Sequence, residues 1–155
     1  MYLKQHFFFG LVFAATLFLL FPIIGFLGFS IIFLSSVLID FDHYLFYTCK
    51  KRNLNIKKAY NSFIKEDKYC RSLPWEERNK LPRKIFIFHG IEVLAILFFL
   101  SFVFNYFIFI FVGFGFHLLL DLIDQTTYWD KNTKFSTIYD VIKYRKENCS
   151  RKPSP

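Results

Sequence analysis

The sequence predicts an all-α integral membrane protein: four helices arranged as two hairpins, with a basic cytoplasmic loop between them. Three observations lead there. Residues 7–39 carry no charge over 33 positions, and within 85–120 the sole charged residue is Glu92. A helix needs about 20 apolar residues to cross a bilayer, so each stretch is too long for one crossing and suits two. The 20 Lys and Arg all lie outside these stretches: Lys4 precedes the first, twelve fall between Lys50 and Lys84, and seven follow from Lys131 onward. Two crossings per stretch put all three basic groups on one side, which the positive-inside rule makes the cytoplasm. One crossing per stretch would set the twelve-charge loop opposite both termini.

The elements follow in order. Helix one is expected over 3–21, and Pro22, Gly25 and Gly28 mark its turn. Helix two continues to about Tyr44. Residues 47–81 read as a polar, basic loop. A short helix is expected after Ser72-Leu73-Pro74, where Pro suits a first turn and Glu76 and Glu77 suit the N-terminal dipole. Helix three is expected over 82–104, Asn105 makes the second turn, and helix four runs over 106–124. This gives a four-helix membrane domain over 1–125, loop included, and a basic cytoplasmic tail over 126–155. The end of that tail, Ser-Arg-Lys-Pro-Ser-Pro, is expected to be disordered.

Composition agrees with a multi-pass protein of the cell (inner) membrane, both termini cytoplasmic. Hydrophobic types make up 54% of the 155 residues, with 24 Phe. A cleaved signal peptide is disfavoured, because the first apolar run far exceeds a signal h-region and no small-residue cleavage motif follows. Cys49, Cys70 and Cys149 are scattered and odd in number, without Cys-x-x-Cys spacing, so no disulfide framework is expected. The net charge of +8 is read as a topology determinant facing anionic lipid headgroups rather than as a nucleic-acid surface.

The ionisable residues at the rims of the apolar stretches carry the chemistry. Such groups are costly at membrane depth, and a set of them at matching depth asks for a common purpose. His6 lies 16 positions before Pro22 and Asp40 lies 18 after it, while His89 and Asp121 each lie 16 from Asn105. At 1.5 Å per residue these separations are about 24–27 Å, which brings four helices' worth of His and Asp to one layer at the cytoplasmic rim. His117, Asp121 and Asp124 share a helix face at i, i+4 and i+7, as do His89 with Glu92 and Asp40 with His43 at i, i+3. Imidazole with carboxylate is the ligand mix of zinc, manganese and iron. The expected ligands of a divalent metal, zinc foremost, are His6, Asp40, His43, His89, His117 and Asp121. Asp42 is either a further ligand or the residue that orients His43. Glu92, inside an apolar segment, is the candidate general base, with burial expected to raise its pKa. The bland alternative is boundary polarity at a membrane surface. Other site types lack support, since the chain has no Gly-x-Ser-x-Gly, P-loop or Gly-x-Gly-x-x-Gly.

These pieces resemble the membrane-bound metal-dependent hydrolase family, also described as LexA-binding inner-membrane hydrolases, and more distantly the zinc-dependent phospholipase C-like proteins. That family's pattern opens with a His early in helix one, similar to Lys4-Gln5-His6-Phe7. It continues with Pro-Asp-x-Asp-His, similar to Ile39-Asp40-Phe41-Asp42-His43. The end of its His-Arg-Gly-x-Thr-His-Ser motif resembles Phe88-His89-Gly90-Ile91-Glu92. Its Gly-x-x-x-His-x-x-x-Asp matches Gly113 to Asp121, with His117 at the centre. The resemblance covers about residues 4–125. Ile39 replaces the Pro, Lys84 stands where the third motif has its first His, and Ile85 stands in place of its Arg. The resemblance implies metal-dependent hydrolysis, and the headgroup-level position implies a lipid or other amphiphilic ester or phosphoester as substrate. The alternative is a non-catalytic membrane protein in which metal or a polar network staples two hairpins. A transporter fits less well, for want of polar residues at mid-bilayer beyond Asn105 and a few Ser and Thr.

Overall fold

The computed structural model describes residues 3–78, 81, 86–127, 136–139 and 141–143. It is all-helical, with no strand among the described residues: α1 (Leu3–Leu20), a 3₁₀ turn (Pro22–Ile24), α2 (Gly25–Leu38), α3 (Phe41–Lys51), α4 (Ile56–Ser72), α5 (Trp75–Arg78), α6 (Ile91–Ser101) and α7 (Phe107–Thr127). Residues 137–139 and 141–143 are also helical. The predicted Lys84 and Ile85 positions, Cys149 and the far tail lie outside the described residues.

Proline sets the first break. Pro22 lacks an N–H and is tolerated only in a first turn, so α1 stops before it and the 3₁₀ turn carries the chain into α2. Gly25 ends that turn at φ 65, a backbone region that disfavours side chains. The second break spans 102–106 and includes Asn105, as expected.

A third break was not anticipated. Instead of running on to Tyr44, α2 ends at Leu38, and α3 starts at Phe41. No Pro or Gly causes this. The main-chain bonds there tighten to i, i+3: Asp40 N to Val37 O, Asp42 N to Ile39 O and His43 N to Asp40 O. Such i, i+3 bonds carry the chain from α2 into α3 without a loop.

The stretch 47–81 is more ordered than a loop. Arg52, at φ 49, closes α3. Asn55 then caps α4, its side chain accepting from Lys58 N at 2.9 Å. The α4 helix packs on α3, and Ala59 is its buried contact. The short helix expected after Pro74 is α5.

Packing centres on α2, which lies against α1 and α7, while α7 also contacts α1 and α6. Close approach depends on small residues. A side chain at Gly113 would strike Ser35 Oγ and the Ile32 carbonyl, and one at Gly10 would strike Ser36 Oγ. Among the described residues the buried apolar core is small, comprising Ala14, Ile32, Ile39, Ala59, Phe86 and Leu97. Large apolar side chains instead cover the outside, with Ile23 at 96% exposure and Leu19 at 76%. Two helical stretches, Pro22–Lys51 and Phe107–Asp124, are long and apolar enough to cross a membrane, whereas Lys4–Leu20 and Ile91–Ser101 are apolar but shorter. The expectation of four helices of equal reach is therefore corrected: α6, at 11 residues, rises only about 16 Å.

Candidate metal centre

Five parts of the chain meet at one end of the helices. His6 comes from the second turn of α1, and Asp40 from the α2–α3 break. His43 comes from the first turn of α3, His89 from the irregular segment before α6, and His117 and Asp121 from α7. They fall into three overlapping trios whose donor atoms lie within 4.8 Å of one another: His6–Asp40–His117, Asp40–His43–His89 and His89–His117–Asp121. Each trio could hold a metal ion.

Asp121 reaches His6 Nε2 at 3.2 Å, His117 Nε2 at 3.4 Å and His89 Nε2 at 3.6 Å. Asp40 Oδ1 lies 3.6 Å from His43 Nε2, 3.7 Å from His117 Nε2 and 3.9 Å from His89 Nε2. The His6 and His117 rings stack with centroids 4.1 Å apart. Neutral imidazole is the ligand form.

The tautomer of His117 follows from its partner. Its Nδ1 lies 2.7 Å from the Ser36 carbonyl oxygen, an acceptor, so Nδ1 must donate. In the neutral ring Nε2 then carries a lone pair, directed at Asp40 and Asp121. An acceptor facing two carboxylates requires a cation between them, either a proton or a metal. His117 is fully buried and His6 is 2% exposed. His6 Nδ1, Asp40 Oδ2, both nitrogens of His89 and His117 Nε2 are buried and make no hydrogen bond among the described residues. Buried polar atoms without partners are rare, and a cluster of them marks a place for an ion. The residues present thus fit a divalent metal.

Asp42 stands apart from the trios. Its Oδ2 accepts from Phe88 N at 2.7 Å and lies 3.6 Å from His89 Nδ1. It therefore fixes the segment that carries His89, rather than His43. Burial opposes charge on His89, yet Asp40, Asp42 and Asp121 outweigh it and hold its pKa above the ordinary histidine value. The His43 ring, a third exposed, packs against Phe86 and Phe63 and forms the open side of the cluster.

Glu92 is in none of the trios. Its carboxylate accepts from Ser136 Oγ, from Thr137 N at 3.1 Å and from Ile138 N at 3.2 Å. Ser136 Oγ in turn accepts from Tyr139 N at 3.1 Å, so Glu92 sits at the capped start of the helical residues 137–139. These donors hold the Glu92 carboxylate against residues 136–138 rather than in the histidine cluster. Asp124, on the His117–Asp121 face, is also placed elsewhere: it accepts from Arg71 at 2.9 Å. Arg71 also donates to Asp67 at 2.8 Å. These two carboxylates more than offset the burial of Arg71 and raise its pKa. The Arg71 tie and the Ser36 carbonyl were missed from sequence. The paired Ser35-Ser36 opposite Gly10 and Gly113 was the available signal of close helix approach.

Comparison with protein families, with curated proteins and with solved structures finds no match to this chain.

Proposed function

We propose that this chain is a multi-pass inner-membrane protein with cytoplasmic termini. It would bind divalent metal at its cytoplasmic rim and hydrolyse an amphiphilic ester or phosphoester there. The membrane part rests on the inverted distribution of side chains, with aromatics and leucines outside and His, Asp and Ser inside. The hydroxyls of Thr16, Ser30, Ser35, Ser36 and Ser101 each bond back to a carbonyl of their own helix. None of these hydroxyls therefore needs water, as a lipid environment demands. In this reading α1 and α2, and α6 and α7, form the two hairpins, and the basic segments mark the cytoplasmic side.

The observation that carries the metal reading is the convergence of four buried or half-buried imidazoles on Asp40 and Asp121, with His117 Nε2 aimed between them by Ser36. A divalent ion supplies Lewis acidity, polarising an ester or phosphoryl oxygen and activating water near neutral pH. His6 and His117 anchor the deep side. The His43 side is the open face, where a headgroup approaching from the bilayer surface would arrive. Phe41, half exposed beside it, and Phe88 offer apolar contact to an acyl chain. Glu92 enters as proton acceptor only when residues 136–138 release its carboxylate.

Full burial of His6 and His117 also favours the second reading, a metal staple between helices. One experiment separates them. Protein purified in detergent is assayed for bound metal, for thermal stability with and without chelator, and for turnover of lipid phosphoesters and amphiphilic esters with zinc or manganese. Turnover that chelator abolishes and metal restores supports hydrolysis. Bound metal that stabilises the fold without any turnover selects the metal staple, and absence of metal leaves only a polar-network staple.

A further inference from the structure

Within the reading that the cluster binds metal, we infer that it is built for two cations that share Asp40. Two donors of one zinc-sized ion, each about 2.1 Å from it, can be no more than about 4.2 Å apart. The six residues of the three trios offer more donors than the four that a zinc ion usually takes. A neutral imidazole has one nitrogen lone pair, so each His serves one ion. A carboxylate has two oxygens and can serve two.

The trios divide accordingly. His6–Asp40–His117 and Asp40–His43–His89 have Asp40 alone in common, and between them they use each of the four histidines once. The third trio, His89–His117–Asp121, draws one His from each pair, as expected of a carboxylate facing both ions from the opposite side. Asp40 Oδ1 lies within 3.9 Å of His43, His89 and His117. Its Oδ2 is buried and makes no hydrogen bond among the described residues. Oδ1 thus faces both histidine pairs, and Oδ2 remains to take up a second ion. Asp121 likewise spends Oδ1 on His6 and Oδ2 on His117 and His89. The α2–α3 break is what sets Asp40 between the two histidine pairs.

The test uses the full chain in detergent, stripped with chelator and dialysed against excess Mn²⁺. Bound manganese per chain is measured by mass spectrometry and spin coupling by electron paramagnetic resonance. Two Mn²⁺ per chain with an exchange-coupled spectrum are expected for the wild type. His43→Ala and His6→Ala are each expected to keep one ion, with an uncoupled six-line spectrum. Asp40→Asn is expected to lose the coupling. One uncoupled Mn²⁺ per chain in the wild type overturns the two-ion inference while leaving the metal reading intact. No bound Mn²⁺ overturns both. Should a variant fail to fold, the wild-type stoichiometry and spectrum decide alone.

Discussion

The imidazole of His117 donates from Nδ1 to the main-chain oxygen of Ser36 at 2.7 Å, linking α7 to α2 across 81 positions of sequence. Ser35 and Ser36 bond back to Ile32 and Phe33. Gly113 has no side chain to hold the helices apart. Together they bring a carbonyl within reach of a ring that would otherwise be isolated. The same contact fixes which nitrogen faces the carboxylates. A packing feature thus determines a chemical one.

Replacing His117 by Ala removes a donor atom from two trios. Loss of residues that merely orient a ligand typically weakens metal binding 10–100-fold. Loss of this ring is therefore expected to exceed about 100-fold, with the protein still recovered from membranes. Unchanged metal content of His117→Ala would remove α7 from the centre.

Gly113→Val is expected to destabilise the α2–α7 contact by about 1–3 kcal/mol, the usual range for overpacking. Its neighbour supplies the control. A Cβ at Gly115 meets only Leu94 Cδ1, at 3.7 Å, so Gly115→Ala should be neutral or stabilising by up to about 1 kcal/mol through helix propensity. Thermal unfolding in detergent reads both. Equal effects of the two substitutions would argue against close packing at Gly113.

Glu92→Gln keeps the size of the side chain but removes the charge that faces the N–H groups of Thr137 and Ile138. Residues 136–143 should then become more accessible to limited proteolysis, with metal content unchanged. Should Glu92 also accept a proton in turnover, its rate falls by about 10²–10⁴-fold. A tail as protected as in the wild type would show that Glu92 does not anchor it.

Topology is open to labelling at Cys49, which is exposed at the end of α3. In a variant with Cys70 and Cys149 replaced by Ser, an impermeant maleimide should modify Cys49 only after cells are permeabilised. Labelling in intact cells would place the basic segments outside.

Much of the centre was legible because helix geometry converts sequence distance into depth. The separations of His6, Asp40, His89 and Asp121 from Pro22 and Asn105, 16 to 18 residues, suggested one layer, and the structure brings them together although His89 precedes α6 and Asp40 lies in the α2–α3 break. His117 and Asp121 were legible as an i, i+4 pair. What escaped was set by contacts between distant segments. Nothing local announces that Asp42 will accept from Phe88 N, that Arg71 will claim Asp124, or that Glu92 will meet Ser136. The α2–α3 break escaped because no Pro or Gly marks it. The α4 helix escaped because its basic composition reads as a loop until Asn55 is recognised as its cap.

The bend at Ile39–Asp40 has a consequence for how this chain tolerates change. Positions 40 and 42 of an unbroken α-helix point about 200° apart, yet Asp40 and Asp42 approach the two different nitrogens of the single ring of His89. That clamp depends on phase, not on polarity. Inserting one Leu anywhere in α2 would leave the hydropathy profile and the distribution of basic residues almost unaltered, but it would swing the residues beyond it by about 100°. A chain so altered should still enter membranes in the same orientation, with Asp40 and His43 turned away from His6, His89, His117 and Asp121.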